Sequence, residues 1–160
     1  MAAKTNVARI LESVGAKFDF HTYECGGAIS GVEVARAIGA DERRVFKTLV
    51  VSGASGKFFV FVVPVARELD LKKAAAAVGE KSVSMIRQKE LLPTTGYVHG
   101  GCSPVGMKKF FRTTLDLSAG EFERVIFSAG KIGAQVEISL AELSKAIKFS
   151  LADLTADGGR

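Results

Sequence analysis

Apolar positions recur along this chain at two periods, and the switches between them divide it into elements. Val7, Ile10, Leu11 and Val14 fall on one face of a helix that Gly15 is placed to end. Phe18 to Tyr23 reads as a strand. Ser30 and Glu33 then form a capping box, opening a helix through Val34, Ala35 and Ile38 that stops at Gly39. Val45 to Val51 and Phe58 to Val63 are strands joined by Gly53-Ala54-Ser55-Gly56, a hairpin connection. Asp70 caps a helix running through Ala74 to Val78 and ending at Gly79. Val83 to Ile86 predicts a short strand, Arg87 to Leu92 a short helix stopped by Pro93, and Tyr97-Val98-His99 a strand end.

Phe110 to Leu117, Arg124 to Ser128 and Gln135 to Ile138 predict three more strands, the last two separated by a turn at Gly130 to Gly133. Ser139 and Glu142 make a second capping box, for a helix carrying Leu140, Leu143 and Ile147. Strands outnumber helices and many are sequential neighbours, which predicts a single α+β domain with a mixed, largely antiparallel sheet. At 160 residues and 48% hydrophobic, one domain over 1–160 accounts for the whole chain, with a loose tail over 152–160. No apolar run reaches the length of a membrane span, so Val60 to Val65 is read as a buried strand. The N-terminus carries no signal-peptide pattern, and two cysteines fit a reducing cytoplasm. A net charge of +5 permits a polyanionic partner without requiring one.

Chemistry concentrates in Gly100-Gly101-Cys102-Ser103-Pro104-Val105-Gly106. Glycines here leave no Cβ to block a ligand, so backbone N–H groups can face a bound carbonyl or anion. Lys47 is the odd charge: strand alternation sets it with Val45, Leu49 and Val51, while Phe46, Thr48 and Val50 take the other face. Both faces read as buried, and an unpaired ammonium there would cost several kcal/mol. Lys47 must therefore snorkel to water, pair with a carboxylate, or meet an anionic ligand. Ser128 to Gly133 is a second glycine-flanked turn, but lacks the spacing and the Ser or Thr of a Walker A loop. His21, Cys25, His99 and Cys102 match no standard zinc spacing. Ser103 lacks a nucleophile-elbow context, and nothing in the residue order activates Cys102.

In order along the chain, His21-Thr22-Tyr23-Glu24, Val45-Phe46-Lys47-Thr48-Leu49, Pro64-Val65-Ala66 with Leu69 to Lys73, Thr95-Gly96-Tyr97, Gly100 to Pro104 and Ser128 to Lys131 resemble the YbaK/EbsC family. These are stand-alone relatives of the editing domain inserted in bacterial prolyl-tRNA synthetases. The resemblance runs from about Val7 to about Leu151 and implies a barrel-like sheet flanked by helices. It implies a hydrolase that deacylates mischarged tRNA in trans, Cys-tRNA(Pro) first, with Ala or Ser esters, or plain tRNA and synthetase binding, as alternatives. It further implies Lys47, Gly100 and Gly101 as the catalytic set. Tyr23, Ser30, Ser103, Ser128 and Gln135 would contact substrate. No metal or cofactor is implied, and the substrate's own thiol serves as nucleophile, leaving His99 and Cys102 dispensable. The implied partners are the aminoacyl-tRNA acceptor end and prolyl-tRNA synthetase, met by a monomer. Two positions depart from the family pattern: Gln135 stands where an aspartate is usual, and Ser30 where a phenylalanine is frequent.

Overall fold

Helix α1 (Asn6–Ser13) opens at Thr5, whose hydroxyl accepts from the Ala8 N–H at 3.1 Å, and it buries Val7, Ala8 and Leu11. The computed structural model describes residues 5–24 and 29–156. Strand β1 (Asp19–Thr22) follows, then α2 (Gly31–Ala37), where Ser30 and Glu33 close the expected capping box. A 3₁₀ turn at Glu42–Arg44 leads into β2 (Phe46–Gly53), and the glycine turn returns the chain as β3 (Phe58–Pro64). Next come α3 (Leu71–Val78), β4 (Val83–Met85) and α4 (Gln88–Thr95). After the glycine loop the order is β5 (Arg112–Asp116), a 3₁₀ turn at Leu117–Glu121, β6 (Val125–Ser128), β7 (Ala134–Ile138), α5 (Leu140–Leu143) and β8 (Ser150–Ala152).

The strands make two sheets, ordered β1-β7-β6 and β4-β2-β3-β5-β8. Pairing is antiparallel except between β3 and β5 and between β5 and β8. A parallel bridge from Val45 to Ile126 joins the two sheets, giving the α+β, barrel-like architecture. Between the sheets, Phe46, Val50, Val60, Val62 and Leu115 meet Phe127, Val136 and Ile138, with Val7 and Leu11 of α1 closing one side. Val51, Phe59, Phe61 and Val63 bury the opposite face of the larger sheet under Ala74, Ala75 and Val78 of α3. This two-sided burial explains why β3 reads as one continuous apolar run. A third cluster, Ala35, Val45 and Ile126, seats α2 over the seam between the sheets.

Several expectations are corrected. α4 continues through Pro93 to Thr95, because a proline removes one donor while the Thr95 hydroxyl and the Gly96 N–H hold the last turn to Leu91 and Leu92 carbonyls. Val98 and His99 lie in a turn rather than a strand end, and Phe110 and Phe111 precede β5. The last helix stops at Leu143. Of the tail expected to be loose over 152–160, Leu154 and Thr155 are fully buried, and the Leu154 N–H donates to Asp116 Oδ1 at 2.9 Å. Residues 157–160 lie outside the described residues.

Candidate functional site

Where α2 crosses the seam, a cavity of about 200 Å³ opens, walled by α2, the first half of β2, the glycine loop and the facing ends of β6 and β7. Its lining includes Ser30, Gly31, Lys47, Thr48, Leu91, His99, Gly100, Cys102, Ser128 and Gln135. Gly31 lets α2 come this close, since a Cβ there would lie 2.4 Å from Val65 Cγ1. Five of the eight residues expected to act thus share one cavity: Lys47, Gly100, Ser30, Ser128 and Gln135.

Lys47 takes the second of the options open to it. Its Nζ lies 3.7 Å from Glu68 Oε2, with the lysine side chain 28% exposed and the glutamate 85% exposed. An ion pair this wet is worth about 0–1 kcal/mol, so an incoming anion can displace Glu68 cheaply. Thr48, which carried no expectation from sequence, contributes a buried hydroxyl with no hydrogen-bond partner among the described residues. Burying a hydroxyl without a partner is costly, so Thr48 is an unsatisfied polar position in the wall of this cavity.

Gly100 has φ +89°, the left-handed region, and its N–H is free of any recorded protein acceptor among the described residues. Gly101 differs: its N–H donates to Val98 O at 2.9 Å, so it closes the turn and offers no free donor. A Cβ on Gly101 would sit 3.2 Å from Lys131 Cα, which brings the second glycine-flanked turn against the first. The loop is anchored from below by Tyr97, whose hydroxyl donates to the Val105 carbonyl. Burial pushes that phenol up to about 12.

Ser128 and Gln135 are cross-strand partners, and Ser128 Oγ accepts from the Gly130 N–H at 3.0 Å. Gln135 is buried with no recorded hydrogen bond to its amide among the described residues. Ser30 both caps α2, accepting from the Glu33 N–H at 3.1 Å, and lines the cavity. Besides Gly101, two expected residues stand apart: Ser103 is fully buried with its Oγ accepting from the Val105 N–H, and Tyr23, half-buried, donates its N–H to Gly133 O. Neither is among the described lining residues. Burial pushes the Cys102 thiol up to about 12, against a weaker opposing hydrogen bond with Thr95, so it is a poor nucleophile. His21 is committed elsewhere, its Nε2 2.8 Å from Glu137 Oε1, and Cys25 lies outside the described residues.

A model of the aminoacyl-tRNA editing domain matches residues 28–146, the span that contains every wall of this cavity. The chain belongs to the aminoacyl-tRNA editing family. Within that family it is 41% identical over 155 residues to EbsC of Enterococcus faecalis, named as a candidate Cys-tRNA(Pro)/Cys-tRNA(Cys) deacylase, covering 95% of this chain and 93% of the relative. It is also 33% identical over 75 residues to the proline–tRNA ligase of Thermosipho melanesiensis, which is 47% of this chain and 13% of the ligase. A solved structure described as a candidate trans-editing enzyme for prolyl-tRNA synthetase superposes with TM-score 0.80 at 27% identity, covering 96% of this chain and 99% of the other. A hypothetical protein at 24% identity and TM-score 0.85 shares the fold.

Proposed function

We propose that this editing-family protein is a hydrolase that removes cysteine from mischarged tRNA, with Cys-tRNA(Pro) as substrate and the cysteinyl thiol as nucleophile. The observation that carries the proposal is the cavity itself. It is small against the roughly 300–1,000 Å³ usual for drug-sized ligands, and its wall sets a displaceable cation and a free backbone N–H beside buried hydroxyls. Among the described lining residues the one thiol, Cys102, is held protonated by burial, which supports a nucleophile supplied by the substrate.

In the reaction the substrate sulfur bonds to its own ester carbonyl carbon. The bond from that carbon to the ribose oxygen breaks, and the thiol proton ends on the departing oxygen. A cyclic thiolactone leaves, and water later opens it to cysteine. Holding sulfur and carbonyl in attack geometry is itself powerful, since well-oriented intramolecular reactions reach effective molarities of about 10⁵–10⁸ M. The Gly100 N–H would polarise the carbonyl oxygen as charge develops there. Lys47 would leave Glu68 for a phosphate or ribose oxygen of the terminal adenosine. Gly101, with its N–H spent on Val98, would fix the loop's shape. Tyr23 and Ser103 would act only through the positions of the loops they hold.

The acceptor end of tRNA is the partner this implies, reached by a monomer in the cytoplasm. Prolyl-tRNA synthetase is the protein partner we infer, as the source of the mischarged product. A second reading, removal of Ala or Ser, is favoured by one observation: Gln135 brings a neutral amide into the cavity where the family commonly has a carboxylate. Incubating Cys-tRNA(Pro) and Ala-tRNA(Pro) with the protein tests both, each against its spontaneous hydrolysis. Faster loss of the cysteinyl ester alone is expected. Loss of the alanyl ester alone would establish the second reading, and protection of both from hydrolysis would make the protein a binding module.

A further inference from the structure

His99 stands on the turn that ends at Gly100, exposed to solvent, and lines the cavity. No hydrogen bond or ion pair to its imidazole is recorded among the described residues, in contrast to His21, which is held by Glu137. We propose that His99 is the base that takes the proton of the cysteinyl thiol and returns it to the departing ribose oxygen. The proposal rests on the thiol-assisted reaction above and revises the sequence expectation that His99 is dispensable.

Cleavage by the substrate's own sulfur needs a thiolate, and an ordinary cysteine thiol, near 8.5, is only a few per cent ionised at neutral pH. A group on the wall that accepts the proton would recover the factor of about thirty lost to incomplete ionisation at neutral pH. The lining groups that titrate are few. β2 presents Lys47, whose ammonium is already paired to Glu68. The glycine loop presents Cys102, whose buried thiol holds its own proton. α2, β6, β7 and α4 complete the wall with Ser30, Ser128, Gln135 and Leu91, none of which titrates in this range. The turn packed against Gly101 adds only Lys131, another cation. Among the described residues no carboxylate lines the cavity, because Gln135 is neutral.

Histidine is the side chain suited to exchanging a proton between pH 5 and 8. Among the described lining residues His99 is the group left able to do so, one residue from the Gly100 N–H. The proton balance closes on it. The thiol proton moves to an imidazole nitrogen as the S–C bond forms, and the same proton passes to the ribose oxygen as the C–O bond breaks. The imidazole ends as it began.

The test is the pH profile of single-turnover deacylation of Cys-tRNA(Pro) by the wild type, His99→Ala and His99→Gln, with uncatalysed hydrolysis subtracted at each pH. General bases contribute about 10²–10⁴-fold, so the variants should fall about a hundredfold near pH 7 with KM unchanged. The gap should close towards pH 9, where the substrate thiol ionises unaided, and added imidazole should restore His99→Ala at neutral pH. Thermal midpoints should match the wild type, the side chain being exposed. An equal loss at every pH, or a loss confined to KM, would overturn the proposal and make His99 a binding residue. Unaltered rates would overturn it outright. A wild type that does not accelerate loss of Cys-tRNA(Pro) would overturn the thiol-assisted reaction itself, and His99's role with it.

Discussion

Replacing Lys47 with alanine separates its two roles, because the structure makes one of them weak. The ammonium sits 3.7 Å from a carboxylate that is 85% exposed, and its own side chain is 28% exposed. Such a pair contributes about 0–1 kcal/mol to folding and is further weakened by salt. Truncation also removes some aliphatic stem beside Val63, its partner on β3. The net stability change should therefore stay within about 1 kcal/mol, a shift of a few degrees for a domain this size. The effect on catalysis is larger. A hydrogen bond to a charged group is worth about 1.5–3 kcal/mol, which converts to a loss of roughly ten- to a hundred-and-fifty-fold. Single-turnover deacylation of Cys-tRNA(Pro), read beside the thermal midpoint, measures both effects. Glu68→Gln is the complementary variant and should keep or slightly raise the rate, since it frees the lysine. Full activity in Lys47→Ala at an unchanged midpoint would refute the assignment of Lys47 to substrate.

The other predictions are as direct. Gly100→Ala should cost about 1 kcal/mol in stability, since its φ of +89° is strained for any residue with a Cβ, and should depress the deacylation rate well beyond what partial unfolding explains. Thr48→Val should leave the thermal midpoint equal or higher, because an unpaired buried hydroxyl is replaced by a methyl of similar shape; a rise in KM for the aminoacyl ester would show that the hydroxyl meets substrate. Cys102 should resist alkylation at pH 8, where a thiol pushed up to about 12 is almost wholly protonated, and peptide mapping after iodoacetamide should find it unmodified. Cys102→Ser should accordingly keep most activity.

Local chemistry made much of this fold readable in advance. The Ser30–Glu33 box, the Asp70 cap and the glycine turn between β2 and β3 all depend on residues a few positions apart and form as expected, whereas Ser139 caps α5 without the reciprocal half of its box, Glu142 accepting from the Lys17 N–H instead. What escaped depends on distant partners. β8 is three residues of ordinary polarity, made a strand only by pairing with β5. The Lys47–Glu68 contact joins residues that no periodicity relates, so Lys47 looked buried and unpaired until β2 and the segment after β3 were placed side by side. Ser103 shares the glycine loop with Gly100, yet the loop's path buries it against Val105 while Gly100 and Cys102 reach the cavity. Thr48 carries no signature at all; a threonine in a strand becomes informative only when its hydroxyl is seen to lack a partner. Gln135 was visible from the start, and the structure sets it opposite Ser128 on the cavity wall.

The central claim is that the substrate supplies the nucleophile, and comparing Cys-tRNA(Pro) with Ser-tRNA(Pro) under identical single-turnover conditions tests it most directly. The two esters differ by sulfur for oxygen, so they are alike in size against a cavity of about 200 Å³ and carry the same carbonyl. A serine hydroxyl is far less acidic than a thiol and does not ionise near neutral pH. The account predicts rapid loss of the cysteinyl ester and at least a hundredfold slower loss of the seryl one, a gap in keeping with the advantage of an oriented internal nucleophile. Equal rates for the two esters would contradict it and require water or a ribose hydroxyl as the attacking group.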